Sequence, residues 1–300
     1  TTVSEGLAFP ASIIHTLRSR RDGTYKKVLF DKKLFFPFSS LLKGKKRLCV
    51  PVEDPKNTLA LLQYTGGTTG LSKGAMLSHY NVAANARQTE AFLHYLHEDE
   101  QIFMGVLPFF HVYGLNTCIV LPTLFHAAVV PVARFSPSEL LATMRKRKGT
   151  VLPGAPAMYI SLLLQKNKDR LSLETLQFCI AGSAPMPVEM LRRFEKAFDA
   201  RVCEGYGLSE ASPITHINPA LGIRKAGSIG VPLPGTEARI VDMELGSLNV
   251  APGKVGELVV RGPQVMSGYW ANPDETAGAL RNGWLYTGDI AYMDEDGYFF

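Results

Sequence analysis

Cysteine is scarce: there are four in 300 residues, at Cys49, Cys118, Cys179 and Cys203. Their spacing matches no metal-ligand motif and builds no disulfide framework. A zinc ribbon and a stapled secreted scaffold are thereby excluded, and a reducing cytoplasm is expected. The start shows no initiator Met and no leader pattern of basic, apolar and small-residue regions. There is no internal repeat and no low-complexity segment. The one long uncharged run, Ile102 to Ala133, is broken by Pro108, Pro122 and Pro131 and by His111, Asn116 and His126. A buried helix followed by a buried parallel strand explains it better than a membrane span. Excess charge is small, +5. Its basic clusters, Arg18-Ser19-Arg20-Arg21, Lys43-Gly44-Lys45-Lys46-Arg47 and Arg145-Lys146-Arg147-Lys148, come with no nucleic-acid module. They read as solvated loops, and nucleic acid is not an expected partner. Attraction to anionic lipid, and so a peripheral contact at the inner face of the membrane, stays open.

What is present centres on Tyr64-Thr65-Gly66-Gly67-Thr68-Thr69-Gly70-Leu71-Ser72-Lys73-Gly74. The apolar run Thr58-Leu59-Ala60-Leu61-Leu62 before it reads as a buried strand. Glycines let a backbone approach a ligand closely. Successive N–H groups in such a turn make an anion-binding concavity. Hydroxyls add donors and Lys73 adds a compact cation. Together they suit a polyphosphate, where a plain surface turn needs no lysine. A Walker loop is excluded, because it needs Gly-Lys-Ser/Thr in sequence before a helix. Here two residues separate Gly70 from Lys73, and the apolar Ala75-Met76-Leu77 follows.

Strand and helix signals alternate along the middle of the chain. Ser78 caps a helix from about His79 to Tyr95, and Ser136-Pro137-Ser138-Glu139 opens another. Strands are expected at Ile102–Leu107, Ala127–Val130, Thr150–Leu152, Leu176–Ile180 and Ala200–Cys203. This alternation predicts an α/β fold with mostly parallel sheets and flanking helices. After about Pro219 the texture changes to short strands, at Glu237–Val241, Gly256–Arg261, Trp284–Tyr286 and Ile290–Met293, with Asp296-Gly297 as a hairpin signal. Residues 1–219 are thus expected to form an α/β region, and 220–300 a small β-rich barrel or subdomain. The first 57 residues say least: a helix over Ser12–Leu17 that leads to a basic turn, and a strand ending near Val52.

Four further constellations accompany the loop. Glu204-Gly205-Tyr206-Gly207-Leu208-Ser209-Glu210 follows a strand directly, where open sheets form their ligand crevice. Glu210 alone reads more simply as a helix first-turn carboxylate. A serine-hydrolase elbow is excluded, since Ala211 stands where glycine is required. Ala181-Gly182-Ser183-Ala184-Pro185 ends another strand with small residues. Pro108-Phe109-Phe110-His111-Val112-Tyr113-Gly114 is aromatic around one histidine, a residue that by itself reads more simply as part of a core. Gly283-Trp284-Leu285-Tyr286-Thr287-Gly288-Asp289-Ile290 carries a turn aspartate with two acceptor oxygens.

Taken in chain order, over positions 64 to 300, the five stretches resemble the adenylate-forming superfamily of acyl-CoA synthetases, adenylation domains and luciferases. The wording around Leu62–Leu77 looks most like bacterial long-chain fatty acid CoA ligases. Gly66 stands where the family commonly has Ser, and Ser72 where it has Pro. The resemblance implies two α/β layers followed by a distorted barrel. It implies ATP bound through Thr65, Gly66, Gly67, Thr68, Thr69, Gly70 and Lys73, with Gly182, Ser183, Ala184, Glu204 and Gly205 beside adenine. Tyr206 and Gly207 would lie against the ring, Ser209 would reach phosphate and Asp289 the ribose hydroxyls. Glu210 would hold Mg²⁺, and His111 would stand near the acyl carboxylate. The implied reaction makes an acyl-adenylate from a fatty acid and ATP, then transfers the acyl group to coenzyme A. Lys73, His111 and Glu210 are its catalytic candidates, and the basic clusters could assist with coenzyme A phosphates.

The family continues past the last hairpin into a hinge and a small mobile domain with a second lysine. The expectation is therefore a chain that begins and stops inside a larger domain and forms little thioester by itself. An acyl tunnel is expected along Val112–Leu124 and Val151–Leu163. An aryl or short-chain acid as substrate, and a nucleotide-binding module without turnover, remain the competing readings.

Overall fold

The computed structural model describes residues 11–21, 51–65, 72–165, 173–244 and 246–300. It divides into two units, Thr1–Pro51 and Val52–Phe300. The first is described through one helix, α1 (Ala11–Arg21). The basic residues Arg18, Arg20 and Arg21 lie within its last turn, so the helix runs on through the segment expected as a turn.

The second unit opens on a hairpin of β1 (Leu59–Thr65) and β2 (Lys73–Ser78), which pair antiparallel with Thr65 opposite Lys73. Ser78 then caps α2 (His79–Phe92) in a reciprocal box with Asn81, as its position before an alanine-rich segment predicts. β1 is not the buried strand that its apolar run suggests: Gln63 is its one buried residue, and Leu59 is 40% exposed. It pairs with β2 alone among the described residues, so one of its edges has no strand against it.

The main sheet has seven strands in the order β4-β3-β5-β6-β7-β8-β9. Its parallel part comprises β3 (Ile102–Gly105), β4 (Ala128–Pro131), β5 (Val151–Gly154), β6 (Phe178–Ala181) and β7 (Arg201–Gly207). β8 (Ile214–Ile217) and β9 (Val231–Pro232) then continue it antiparallel. Successive residues face opposite sides, as strand geometry requires. Phe103, Val151, Phe178 and Ile180 pack on one face with Leu93, Leu121 and Phe125. Met104, Leu152, Cys179 and Val202 pack on the other with Leu140, Leu162 and Phe194. Helices cover both faces, which is why these strands read as continuous apolar runs.

The helices of the first face are α2, α3 (Val112–Leu115) and α4 (Leu121–Leu124), with a wide π-type turn over Asn116–Val120 between the last two. The second face carries α5 (Pro137–Arg147), α6 (Pro156–Leu163) and α7 (Val188–Phe198). α5 has its proline in the first turn, though Ser136 makes no side-chain cap. The uncharged stretch resolves into these short helices and β4, and β4 is partly exposed because it forms the sheet edge. Among the described residues no helix is long and apolar enough to cross a membrane.

A second, antiparallel sheet has the order β10-β11-β13-β12, from β10 (Glu237–Val241), β11 (Gly256–Arg261), β12 (Leu280–Arg281) and β13 (Trp284–Ala291), with α8 (Pro273–Ala279) leading into β12. The two strands expected around Thr287 are one, joined through an irregularity that falls between Glu257 and Val259 of β11. The inner face of this sheet, with Ile240, Leu258, Val260 and Leu285, shares a core with Ala75 and Leu77 of β2. The turn at Gly297 takes φ +83° and folds Phe299 back beside Met293.

Candidate active site

The carboxyl ends of β6 and β7 carry the small-residue and glycine-rich stretches, at the place where parallel sheets open a crevice. Glycine is obligatory at 207: a Cβ there would stand 2.1 Å from the Pro213 carbonyl oxygen. The same close approach is sealed by the bond from Leu208 N–H to that oxygen. Ser183 has φ +71°, a left-handed conformation that L residues seldom adopt. It turns the chain sharply out of β6.

Between these strand ends and β13 lies a cavity of about 500 Å³. Ser183, Ala184, Glu204, Gly205, Tyr206 and Asp289 contribute to its wall. Tyr206 donates its hydroxyl to Asp289 Oδ2 at 2.5 Å. Burial pushes the Tyr206 phenol well above its ordinary range, and Asp289 adds to this, so it remains a donor at neutral pH. Glu204 is buried and accepts from Gly227 N–H at 3.0 Å and from Asn218 Nδ2 at 3.4 Å. Burial raises its carboxyl above the usual value, and those two bonds oppose the rise without cancelling it.

A second cavity, of about 260 Å³, shares Ser183, Gly205, Tyr206 and Gly207 with the first and adds His111, Tyr113 and Ser209. His111 is exposed, so the simpler reading of it as a core histidine is wrong. Its Nδ1 accepts from Tyr113 N–H at 3.2 Å. Tyr113 is buried, and its hydroxyl donates to the Ile180 carbonyl at 2.7 Å, an oxygen that Tyr159 also uses. Of the two stretches expected to line a tunnel, Val112 and Tyr113 border this cavity, whereas Leu152, Tyr159 and Leu162 pack into the core.

Gly66, Gly67, Thr68, Thr69 and Gly70 lie outside the described residues. The two ends of their loop are held together by Thr65 opposite Lys73, and by Ser72 Oγ donating to Thr65 O at 2.9 Å. Lys73 is not free: its Nζ lies 2.6 Å from Glu275 Oε2 and 5.6 Å from the centre of the Tyr269 ring. Glu210 occupies a single tight turn, Ser209–Ala211, that leads into β8. No helix follows it, so the helix-dipole reading has nothing to rest on. Glu210 Oε1 accepts from the Tyr269 hydroxyl at 2.7 Å.

The fold thus brings Gly182, Ser183, Glu204, Tyr206, Ser209 and Asp289 to one crevice. It links Lys73 to Glu210 through a residue that sequence reasoning passed over, Tyr269. His216 was missed as well. It is fully buried, packed between Tyr206 and Phe299, and its Nε2 has no partner among the described residues. Neither residue belongs to a glycine-rich or strand-end stretch, so nothing local marked it.

Residues 10–270 match the family described as AMP-binding enzyme. The chain is 43% identical over 303 residues to a long-chain-fatty-acid–CoA ligase of Bacillus subtilis (strain 168), covering all of this chain and 53% of that protein. It is 36% identical over 250 residues to a probable 4-coumarate–CoA ligase 1 of Dictyostelium discoideum, covering 82% of this chain and 45% of that one. Its fold matches the crystal structure of ATP-bound MatB from Rhodopseudomonas palustris with a TM-score of 0.74 at 33% identity, over 80% of this chain and 47% of that one. The chain spans about half the length of the curated relatives it matches.

Proposed function

The chain belongs to the AMP-binding enzyme family, and from that premise we propose that it is the nucleotide- and acyl-binding part of an ATP-dependent fatty acid–CoA ligase. The observation that carries the reading is the pair Tyr206–Asp289. It joins the glycine-rich end of β7 to the turn aspartate of β13 across one cavity, 83 residues apart in sequence. Tyr206 and the small residues Ser183 and Ala184 line the same cavity, which supports a flat adenine ring held there, and the Asp289 carboxylate has the two acceptor oxygens that two ribose hydroxyls need. The smaller cavity shares a wall with this one and includes His111 in its lining, which supports a carboxylate bound next to the nucleotide.

In the first half-reaction a carboxylate oxygen bonds to the α-phosphorus, and the bond from phosphorus to pyrophosphate breaks. In the second, the coenzyme A sulfur bonds to the acyl carbon, AMP leaves with the bonding electrons, and the thiol proton passes to solvent. The chain's own share is positioning and charge stabilisation. Tyr206 and Asp289 hold the nucleoside, Ser209 and Thr65 donate to phosphate, and Lys73 offsets its charge. His111 orients the carboxylate. Among the described residues no group of three or more His, Cys, Asp or Glu could hold a metal by itself. Magnesium carried on phosphate oxygens takes only one or two carboxylates, and Glu210, already oriented by Tyr269, fits that need. Bound there, the ion neutralises charge on the phosphate oxygens.

The smaller cavity has a mixed lining, with Val112, Ile180 and Ile214 beside His111, Ser183 and Ser209, and its apolar side supports the alkyl or aryl part of an acid while its polar side supports the carboxylate. An aryl acid is the second reading, favoured by the 4-coumarate ligase relative. Acid-dependent exchange of labelled pyrophosphate into ATP, run from acetate to palmitate and with 4-coumarate, tests both. Exchange that peaks with a fatty acid supports the first reading. Exchange with the aryl acid alone replaces it, and none with any acid leaves a nucleotide-binding module.

A further inference from the structure

We infer that Tyr269 is a positioning residue of the nucleotide site, which holds the Glu210 carboxylate through its hydroxyl and steadies Lys73 against its ring. The inference rests on the roles proposed above for Glu210 and Lys73. Glu210 sits in a three-residue turn, and no helix follows to fix its side chain. The Tyr269 hydroxyl, 2.7 Å from Oε1, supplies that restraint. Tyr269 is itself buried and anchored by its backbone. Its N–H donates to Thr276 Oγ1 at 2.8 Å. The neighbouring N–H groups of Met266 and Trp270 donate to the carbonyls of Glu210 and Gly74, each at 2.8 Å. The segment is therefore stitched to both the Glu210 turn and β2.

The chemistry of the side chain suits the task. A phenol is neutral, so it orients a carboxylate without cancelling the charge that a cation needs. An arginine in its place would neutralise Glu210. The ring face attracts Lys73 less strongly than a second carboxylate would. The ammonium can then leave Glu275 for phosphate oxygens and remain against the ring. A continuous path, Glu275–Lys73–Tyr269–Glu210, thus ties the cation for the phosphates to the anion for the metal.

Tyr269→Phe keeps the ring and removes the hydroxyl, and Tyr269→Leu removes both. Calorimetry on the full chain measures ATP with Mg²⁺, ATP with chelator and AMP with chelator, with Glu210→Gln in parallel. Tyr269→Phe is expected to weaken ATP–Mg²⁺ about tenfold, as for one lost hydrogen bond to a charged group, and to leave both metal-free affinities unchanged. Tyr269→Leu is expected to weaken metal-free ATP as well, by about threefold. If Glu210→Gln abolishes the magnesium dependence while Tyr269→Phe binds as the unaltered chain does, the inference is overturned and the role of Glu210 stands. If Glu210→Gln leaves the magnesium dependence intact, both fall. An equal loss for all three ligands in Tyr269→Phe would show a merely structural residue and also overturn it. The Phe variant carries the test if the Leu variant does not fold.

Discussion

Acidification from pH 7 to pH 5 should cost this protein about 2 kcal/mol through His216 alone. Its ring is fully buried, with Nδ1 2.9 Å from the Thr215 hydroxyl and the ring centre 4.7 Å from that of Phe299. Burial lowers its pKa from 6.5 to about 3. A base with a depressed folded pKa stabilises the native state above its unfolded pKa, and that stability is lost as pH falls toward the folded value. At pH 5 the unfolded chain has gained the proton and the native one has not. The linkage integral between these pKa values gives about 2 kcal/mol between pH 7 and pH 5. Urea unfolding at both pH values, for the unaltered chain and His216→Leu, isolates the effect. Carboxylates common to both chains cancel in the difference. The variant should lose about 2 kcal/mol less than the unaltered chain over that interval. Equal losses would refute the reasoning.

Asp289→Ala should weaken ATP and AMP alike, by about 1.5–3 kcal/mol for the lost charge-assisted hydrogen bonds, and unchanged binding of both by calorimetry would remove it from the ribose site. Gly207→Ala places a methyl group 2.1 Å from the Pro213 carbonyl oxygen, so a destabilisation of about 1–3 kcal/mol is expected, read as a lowered melting temperature together with weaker nucleotide binding. Glu204 has a raised folded pKa, so its contribution is complete below about 4.5 and fades as pH rises through the folded value. The stability of Glu204→Gln relative to the unaltered chain should therefore increase with pH across that range, and a pH-independent difference in denaturation midpoint would contradict the assigned burial effect.

Features that depend on a few neighbouring residues were legible before any coordinates. Ser78 followed by alanines announces a capped helix, and Pro137 marks the first turn of another. Glu237–Val241 and Gly256–Arg261 are strands with the bounds their apolar pattern suggests. The glycine-rich stretches at 182 and 205–207 do lie at strand ends around one crevice. Burial was less legible. The apolar runs of β1 and β4 predicted interior strands, and both are partly exposed, because an edge is defined by the absence of a neighbour and not by composition.

The sequence by itself determined the alternation of strands and helices and the class of the fold, since each follows from short-range periodicity, capping and turn geometry. Tertiary structure alone decided which side chains meet. Lys73 finds Glu275 across 202 residues, Tyr206 finds Asp289 across 83, and Glu210 finds Tyr269 across 59. It also decided that His216 is sealed from water between Tyr206 and Phe299. Hydrogen bonds and burial of this kind act through space, and they come into being only when two sheets and a hairpin fold onto one core.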